Sequence, residues 1–334
     1  LFLCSCCGKA SGNAEGGEVT PPAPEPSPET VTAYVTTADK TLLFKSEELE
    51  LRKPGTMAVN LVTLDSTVTF QTVDGFGPAL TGSTCYNLRA VMEPSARTAL
   101  LKEVFDPKEG LGFSMVRVTI GSSDFGLDEY TWCDKKGMEN FAAHEYDVRD
   151  LFPILKEVLA INPDVKIIAT PWTAPRWMKR RVNNDSDYYS WTSGRLKPEC
   201  YQDYAEYFVR WIRVMKSQGF DIYAVTLQNE PLNKGNSMSM YMPWQEQLEF
   251  IKTAVGPAFG KAGLNTKILV YDHNYNYDGI ADQQGYPMNI LADSEAARYV
   301  AGSAWHNYYG NPKELDKMVS RFPDKEIYFT EASI

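Results

Sequence analysis

The stretch AVTLQNEP, residues 224–231, joins an apolar run to a carboxylate. Its first residues are typical of a buried strand, yet Asn229 and Glu230 follow them directly. Glutamate is almost never fully buried unless another group pairs with it. A strand that ends in a glutamate therefore either presents a chemically active group or tolerates a defect, and the rest of the chain has to decide between the two.

Similar apolar segments recur along the chain and alternate with amphipathic helical ones. The predicted strands are 68–77, 115–122, 165–172, 222–230, 267–274, 302–308 and 326–333. The clearest helix is 199–216, where Tyr204, Phe208 and Met215 belong to one face with i, i+3, i+4 spacing. Apolar strands that alternate with helices predict a parallel sheet covered by helices. Seven such steps favour an α/β fold of the TIM (β/α)8 barrel type over an open sheet.

The seventh predicted strand reaches residue 333 of a chain of 334 residues. A barrel needs eight strands, so we expect this one to lack its last βα unit. Residues 31–66 carry short β-prone runs with turn residues between them. No Gly-rich loop for a dinucleotide or a phosphate follows any predicted strand, which disfavours a Rossmann fold.

The N-terminus reads as a trimmed bacterial lipoprotein signal. Residues 1–7, LFLCSCC, are apolar and rich in cysteine, and Cys6 fits best the lipobox cysteine that is cleaved and acylated. The alternative is a signal peptide that is removed entirely. Residues 8–30 are rich in Gly, Pro and Glu and predict a flexible tether. We therefore expect a secreted protein, a cell-surface or periplasmic lipoprotein that meets the membrane only through its lipid anchor.

Composition disfavours several classes of function. The formal net charge is −10 and no block of Lys and Arg stands out, so a nucleic-acid partner is not expected. The cysteines lack the paired spacing of a zinc site, and the three histidines form no HExxH motif. We predict no metal and no cofactor. The 19 Tyr, 15 Phe and 7 Trp could include rings that stack on sugars, although most aromatic side chains build the core.

Polar side chains collect at the predicted strand ends, where a TIM barrel carries its chemistry. Glu230 and Glu331 are two carboxylates that rigid strands would present together. Such a pair suits cleavage of an acetal, because one acid protonates the leaving oxygen while the other, ionised, attacks the anomeric carbon. Arg117 would favour the ionised form of the second. The alternative is that each glutamate caps a helix or pairs with a surface lysine.

Other residues near these ends allow two interpretations each. Asn229 is either a turn residue or a ligand for a sugar 2-hydroxyl. Trp172 is either a core plug or a platform for a sugar ring. Asp124 and His306 are either an orienting pair or ligands for sugar hydroxyls, and for His273 a structural role is favoured. From these alternatives we assign Asp124, Trp172, Asn229 and His306 to substrate binding.

Six motifs, in this order and spacing, resemble glycoside hydrolase family 30, the family of glucosylceramidases and microbial β-1,6-glucanases. They are VDGFGPALTGSTCYNL, MVRVTIGSSDF, ATPWTAPRWMK, AVTLQNEP, SAWHNYYG and YFTEAS. The resemblance extends from about residue 31 to residue 334. It implies a TIM barrel fused to a side β-sandwich, with 31–66 as the N-terminal part of the side domain and 67–334 as the incomplete catalytic barrel.

The same resemblance implies site roles. Glu230 matches the acid/base of the family and Glu331 its nucleophile. The positions that match the lining of the glucose subsite are Arg117, Asp124, Trp172, Asn229 and Tyr308. Asn307 stands where the animal glucosylceramidase has a tryptophan, which argues against ceramide as the leaving group.

The leading hypothesis is therefore a retaining β-glycoside hydrolase that works by double displacement, a glucosylceramidase-like β-glucosidase or a β-1,6-glucanase. Its substrate would be a β-linked glucan or a glucosyl lipid, and xylosidic or fucosidic substrates stay open. The alternative is a non-catalytic surface lipoprotein that binds glycans on a hydrolase-like barrel.

Overall fold

The computed structural model describes residues 29–51 and 65–333. The chain divides into two compact units, Leu1–Gln71 and Thr72–Ile334. The predicted signal with Cys6 and nearly all of the predicted tether lie outside the described residues. Among the helices that are described, none combines the length and the apolar character needed to cross a membrane.

The described part of the first unit contains one β-hairpin. Strands β1 (Thr30–Val35) and β2 (Lys45–Glu50) pair antiparallel. Near the turn, the rings of Tyr34 and Phe44 stack with their centroids 4.9 Å apart. The hairpin falls where the sequence predicts the N-terminal part of a side β-domain, and that domain assignment stays a prediction.

The second unit alternates strands and helices. Its strands are β3 (Ala79–Leu80), β4 (Met115–Thr119), β5 (Lys166–Thr170), β6 (Lys179–Arg180), β7 (Arg195–Leu196), β8 (Ile222–Thr226), β9 (Lys267–Asn274), β10 (Val300–His306) and β11 (Glu326–Glu331). Its α-helices are α1 (Gly82–Tyr86), α2 (Pro94–Phe105), α3 (Phe152–Ile161), α4 (Tyr201–Ser217), α5 (Trp244–Phe250), α6 (Gly256–Ala262), α7 (Tyr286–Leu291), α8 (Ser294–Ala297) and α9 (Glu314–Arg321). Single π-helical turns adjoin α1, α3 and α5, at Asn87–Val91, Asp147–Leu151 and Ile251–Val255. Short 3₁₀ turns lie at Met138–Asn140, Arg176–Met178, Pro198–Cys200, Tyr277–Gly279 and Ala281–Gln283.

Seven of these strands form one curled parallel sheet in the order β11-β10-β9-β8-β5-β4-β3. Every neighbouring pair is parallel, and β6 and β7 form a separate antiparallel pair. Because the strands all run the same way, their carboxyl ends meet at one edge. The predicted α/β class and parallel sheet are confirmed.

Helix α4 shows why the helices cover this sheet. Its residues Tyr204, Phe208, Trp211 and Met215 follow the spacing i, i+4, i+7, i+11 and are all fully buried. Burying each such side chain contributes about 1.5–3 kcal/mol. The apolar face read from the sequence is therefore the face that packs on the sheet.

The first predicted strand, 68–77, is wrong. The structure forms a strand only at Ala79–Leu80, which pairs with Arg117 and Val118 of β4. Val73 and Phe76, the β-prone residues of this span that belong to the second unit, are 59% and 69% exposed, so the apolar pattern does not correspond to burial.

The strand that holds the motif AVTLQNEP ends earlier than predicted. β8 stops at Thr226, and the chain then crosses to its neighbours through loop hydrogen bonds. The backbone N–H of Asn229 donates to the carbonyl of Pro171 (2.8 Å), and that of Glu230 donates to the carbonyl of Asp272 (3.0 Å). Glu230 has a φ of 44°, in the left-handed region that side chains other than glycine rarely adopt. The glutamate is thus held by a strained loop and not by the strand itself.

Gly302 sets how closely β11 approaches β10. A Cβ atom at this position would lie 2.0 Å from the carbonyl oxygen of Glu326, which is backbone and has little room to move. We predict that Gly302→Ala lowers the free energy of unfolding by about 1–3 kcal/mol, the usual cost of overpacking. Urea denaturation followed by tryptophan fluorescence measures the change.

Gly260→Ala is the matched control, since a Cβ there meets nothing within 4 Å and the residue lies in α6. In a helix, alanine is more stable than glycine by about 1 kcal/mol. Equal stability of the two variants would contradict the close approach of β10 and β11.

Candidate active site

A buried ion pair lies beneath the carboxyl ends of the strands. Nη2 of Arg117, in β4, donates to Oδ2 of Asp272, in β9, over 3.0 Å, and both residues are buried. The hydroxyls of Thr226 (2.7 Å) and Thr330 (2.5 Å) also donate to Asp272. Burial alone would raise the pKa of Asp272, but the charges of Arg117 and His306 together with these hydrogen bonds hold it well below its usual range.

The same guanidinium organises the site above it. Nη1 of Arg117 donates to Oε2 of Glu331 (2.6 Å), and Nη2 donates to Oδ1 of Asn229 (2.8 Å). The ring of Trp172 lies 4.9 Å from the guanidinium carbon, a cation–π contact. Residues from four strand ends therefore share one fixed cation.

Glu331 is oriented on both carboxylate oxygens. Arg117 binds Oε2, and the hydroxyl of Tyr308 donates to Oε1 over 3.0 Å. The side chain of Glu331 is 25% exposed, so it reaches the surface of the cleft while its direction is set by these two contacts.

Glu230 is surrounded by nitrogen groups. The amide of Asn233 donates to Oε2 (2.8 Å), Nδ1 of His306 lies 3.2 Å from Oε1, and Nε2 of His273 lies 3.7 Å from Oε1. Burial would raise the pKa of Glu230, but the hydrogen bond with His306 and the charges of the two histidines outweigh burial and lower it to about 2. The sequence predicts that one carboxylate stays protonated, whereas the surroundings of Glu230 favour its ionised form.

The two glutamates face each other across a short gap. A carboxylate oxygen of Glu230, one of Glu331 and a ring nitrogen of His306 all lie within 4.8 Å of one another. Such spacing is also seen around metal ions, but here Arg117, Tyr308 and Asn233 already donate to the carboxylate oxygens. Protein cations and hydrogen-bond donors thus balance the charge of the pair, and the absence of a metal stays a prediction.

A cleft of about 670 Å³ opens above the two carboxylates. Its lining is rich in hydroxyl-binding groups, with the carboxylates of Asp124, Glu230, Asp278 and Glu331 and the amides of Asn229, Asn233, Asn236, Asn274 and Asn276. Phe125, Tyr308 and Tyr309 add partly exposed rings. Of the residues that line the cleft, none is lysine or arginine, so it presents an acidic, polar surface.

The predicted substrate-binding residues separate into two groups. Asp124, Asn229 and Tyr308 line the cleft. Arg117, Trp172 and His306 are not among the residues that line the cleft, and of these three His306 is fully inaccessible, so it can act only through the side chains that it contacts. Trp172 lies against the guanidinium of Arg117, and its role in substrate binding stays a prediction.

The sequence assigns no role to Asp272, which in the structure binds both Arg117 and His306. It is an acidic residue within the otherwise apolar strand KILVYDHN, which was the available signal. Tyr271 and Asp272 have positive φ values of 77° and 78°, so the strand is locally distorted there. Asn233, Asn236 and Asp278 also went unassigned, because they lie in loops whose path a motif does not reveal.

Removing Arg117 would leave Asp272 buried without its cation. We predict that Arg117→Met lowers the free energy of unfolding at pH 7 by about 3–5 kcal/mol. Because the folded-state pKa of Asp272 is depressed, its stabilisation is present above its unfolded pKa and is lost as the pH falls below about 4. The unfolded pKa of aspartate, about 4, lies between pH 5 and pH 3. Over this interval the free energy of unfolding should therefore fall less in Arg117→Met than in the wild type.

Urea denaturation at both pH values measures this effect. Lys317→Met, which removes a surface ion pair with Glu314, is the control and should cost at most about 1 kcal/mol. If Arg117→Met and Lys317→Met lowered the free energy of unfolding equally, the buried pair would contribute no more to stability than a surface ion pair.

Comparisons with known proteins agree with this geometry. The endo-1,6-beta-D-glucanase of Neurospora crassa is 34% identical over 320 residues, which cover 90% of this chain and 62% of the relative. The lysosomal acid glucosylceramidase of Mus musculus is 30% identical over 293 residues, covering 82% and 54% of the two chains. This chain thus spans a little over half of the length of these relatives.

The solved structure of the endo-beta1,6-glucanase BT3312 is similar throughout. It is 51% identical, with a TM-score of 0.85, and the match covers 92% of this chain and 66% of that one. The model of the glycosyl hydrolase family 30 TIM-barrel domain matches residues 73–334. Because that match includes the whole parallel sheet and both glutamates, the TIM-barrel prediction is confirmed, and the chain belongs to glycoside hydrolase family 30.

Proposed function

We propose that this protein is a retaining β-glycoside hydrolase that cleaves β-1,6-glucan by double displacement. The observation that carries the proposal is the short gap between Glu230 and Glu331, whose nearest ligand oxygens lie within 4.8 Å. Retaining glycosidases hold their two carboxyl groups about 5–5.5 Å apart, whereas inverting enzymes leave about 6.5–9.5 Å for a water molecule. This close approach of the two carboxylates supports the retaining arrangement.

In the first step Glu331 attacks the anomeric carbon and Glu230 gives a proton to the departing glycosidic oxygen. Arg117 and Tyr308 hold Glu331 in line for the attack and take no part in bond making. In the second step water attacks the glycosyl ester, Glu230 takes the proton of the water, and Glu331 leaves with the electron pair of the broken bond. The sugar keeps its β configuration because two inversions follow one another.

Asn229 is placed to bind the sugar between the two glutamates. Its amide oxygen accepts from Arg117, which directs the amide N–H group toward the cleft that the residue lines. A hydrogen bond to the sugar 2-hydroxyl would strengthen in the transition state.

The choice of β-1,6-glucan has two supports. The relatives with the two highest identities quoted above are named for that activity. The cleft also offers five amides and four carboxylates, which suit a substrate with hydroxyls on both sides of the cleaved bond better than a lipid tail. Asn307 agrees with this choice, because it stands where the animal glucosylceramidase has a tryptophan and so argues against ceramide as the leaving group.

We also propose, on sequence grounds alone, that the protein is a surface or periplasmic lipoprotein anchored through Cys6. A polymeric glucan is too large to enter a cell without prior cleavage, so an enzyme held outside the cytoplasm fits that substrate.

Replacing the nucleophile should abolish turnover while the fold survives. We predict that Glu331→Gln lowers kcat on β-1,6-glucan by more than about 1,000-fold, since no other group can form the glycosyl ester. Release of reducing ends measures the rate. Glu326→Gln is the control, because Glu326 lies at the opposite end of the same strand, where its side chain accepts from Lys267 and Tyr328.

A Glu331→Gln variant that kept a tenth of the wild-type rate would contradict the assignment of Glu331 as the nucleophile. If the wild-type protein bound the glucan without releasing any product, the alternative of a non-catalytic glycan-binding protein would replace the proposal. Turnover of a glucosyl lipid, a xyloside or a fucoside, with β-1,6-glucan untouched, would overturn the choice of substrate.

The stereochemistry of the first product gives an independent prediction. We expect the β anomer to appear first in ¹H NMR spectra recorded during hydrolysis, before mutarotation adds the α anomer. An α anomer formed first would show inversion and would contradict double displacement.

A further inference from the structure

His306 lies between three carboxylates. Its Nδ1 is 3.2 Å from Oε1 of Glu230 and 3.8 Å from Oε1 of Glu331, and its Nε2 is 3.0 Å from Oδ1 of Asp272. The ring is fully buried and does not line the cleft. It can therefore act on a substrate only through Glu230 or Glu331.

Asp272 determines the state of one ring nitrogen. This carboxylate is held ionised by Arg117, so it can only accept a hydrogen bond, and Nε2 of His306 must carry the proton that it accepts. The remaining question is whether a second proton lies on Nδ1 or on the facing oxygen of Glu230. Either way, one proton occupies the hydrogen bond between these two atoms.

The surroundings favour the proton on Nδ1 while the cleft is empty. The amide of Asn233 donates to the other oxygen of Glu230, which stabilises the carboxylate. Burial lowers the pKa of His306, but the hydrogen bonds and charges of Asp272, Glu230 and Glu331 raise it to about 9. The groups that face the ring are Glu230, Asp272 and Glu331, with His273 and Tyr308 at ring distances of 6.2 Å and the guanidinium of Arg117 beyond Asp272.

We propose that His306 is the proton store of the site: Nδ1 holds the catalytic proton in the empty cleft and passes it to Glu230 across their shared hydrogen bond. The inference rests on the proposed role of Glu230 as the acid. In this role His306 is a positioning residue for the proton and not a sugar ligand.

The transfer balances without any further reactant. The N–H bond at Nδ1 breaks and its electron pair stays on the ring, while an O–H bond forms at Glu230. That proton then moves to the glycosidic oxygen as the leaving group departs. In the second step the attacking water returns a proton to Glu230, and from there to Nδ1.

Two changes during the reaction drive the proton toward Glu230. A sugar in the cleft covers Glu230 and excludes water, which disfavours the ionised carboxylate. As Glu331 attacks the anomeric carbon it loses its negative charge, one of the three that hold the proton on His306, in the same step in which Glu230 must protonate the leaving oxygen. The site therefore releases its proton at the stage that needs it.

The chain has only three histidines, so ¹⁵N-histidine NMR can observe the ring directly. In the wild-type protein we expect both ring nitrogens of His306 to be protonated at pH 7, with loss of a proton near pH 9. In Glu331→Gln, which imitates the loss of charge on ester formation, the pKa of His306 should fall. His144, which stacks on Tyr130 outside the cleft, should titrate identically in both proteins.

A His306 ring that is neutral in the wild-type protein from pH 5 to pH 8 would overturn the proposal. So would a pKa that is the same in the wild type and in Glu331→Gln. Neither measurement requires a variant of His306, so the test stands even if substitutions of this buried ring fail to fold.

Leaving-group dependence provides the kinetic test. Departure of 2,4-dinitrophenol needs no proton, whereas departure of phenol does. With the two aryl β-gentiobiosides as substrates, His306→Gln should lower the ratio of kcat/KM for the phenyl to kcat/KM for the dinitrophenyl compound by about 100-fold, the usual size of general acid catalysis, because kcat/KM reports the first step alone. A structural role for His306 would lower both rates alike and leave the ratio unchanged, which would refute the proton store.

Glu230→Gln, tested in parallel, distinguishes a failure of the proposed function from a failure of the proton store alone. If it leaves the ratio unchanged, Glu230 is not the acid and the proposed function fails together with the inference. If Glu230→Gln lowers the ratio and His306→Gln does not, the proposed function stands and the proton store alone is refuted.

Discussion

The buried pair of Arg117 and Asp272 is the interaction on which the rest of the site depends. Asp272 could not be ionised in the interior without a cation, and Arg117 could not be buried without an anion. Once the pair exists, the remaining donors of Arg117 fix Glu331 and Asn229, and the remaining oxygen of Asp272 fixes the ring of His306. One ion pair thus orients Glu331, Asn229 and His306, and His306 in turn contacts Glu230.

The pair also leaves the site with an excess of negative charge. Three carboxylates surround one guanidinium and one imidazole, so a proton is held strongly but has two places to reside. A retaining glycosidase needs a proton that can move between two positions, because its acid must be protonated in one half of the reaction and ionised in the other. The depressed pKa of Glu230 is therefore a property of the cluster, since the hydrogen bond with His306 and the charges of the two histidines produce it.

Much of the fold was accessible from the sequence, because long periodic segments such as α4 and β9 match their predicted spans closely. The two glutamates were accessible because each follows an apolar strand within a specific motif. The strand predicted at 68–77 was wrong because β-prone residues there are exposed. The roles of Asp272 and His306 could not be read from local patterns, since they depend on side chains far apart in the chain that meet only after β9, β10 and β11 pair.

The left-handed backbone of Glu230 means that the proposed acid lowers the stability of the fold. A residue with a side chain at a φ of 44° costs of order 1–3 kcal/mol, and glycine would relieve most of that cost. Replacing Glu230 with glycine would thus stabilise the loop and remove the proposed acid in a single change. At this position the backbone strain and the proposed chemistry have the same origin, because both come from a side chain at a positive φ.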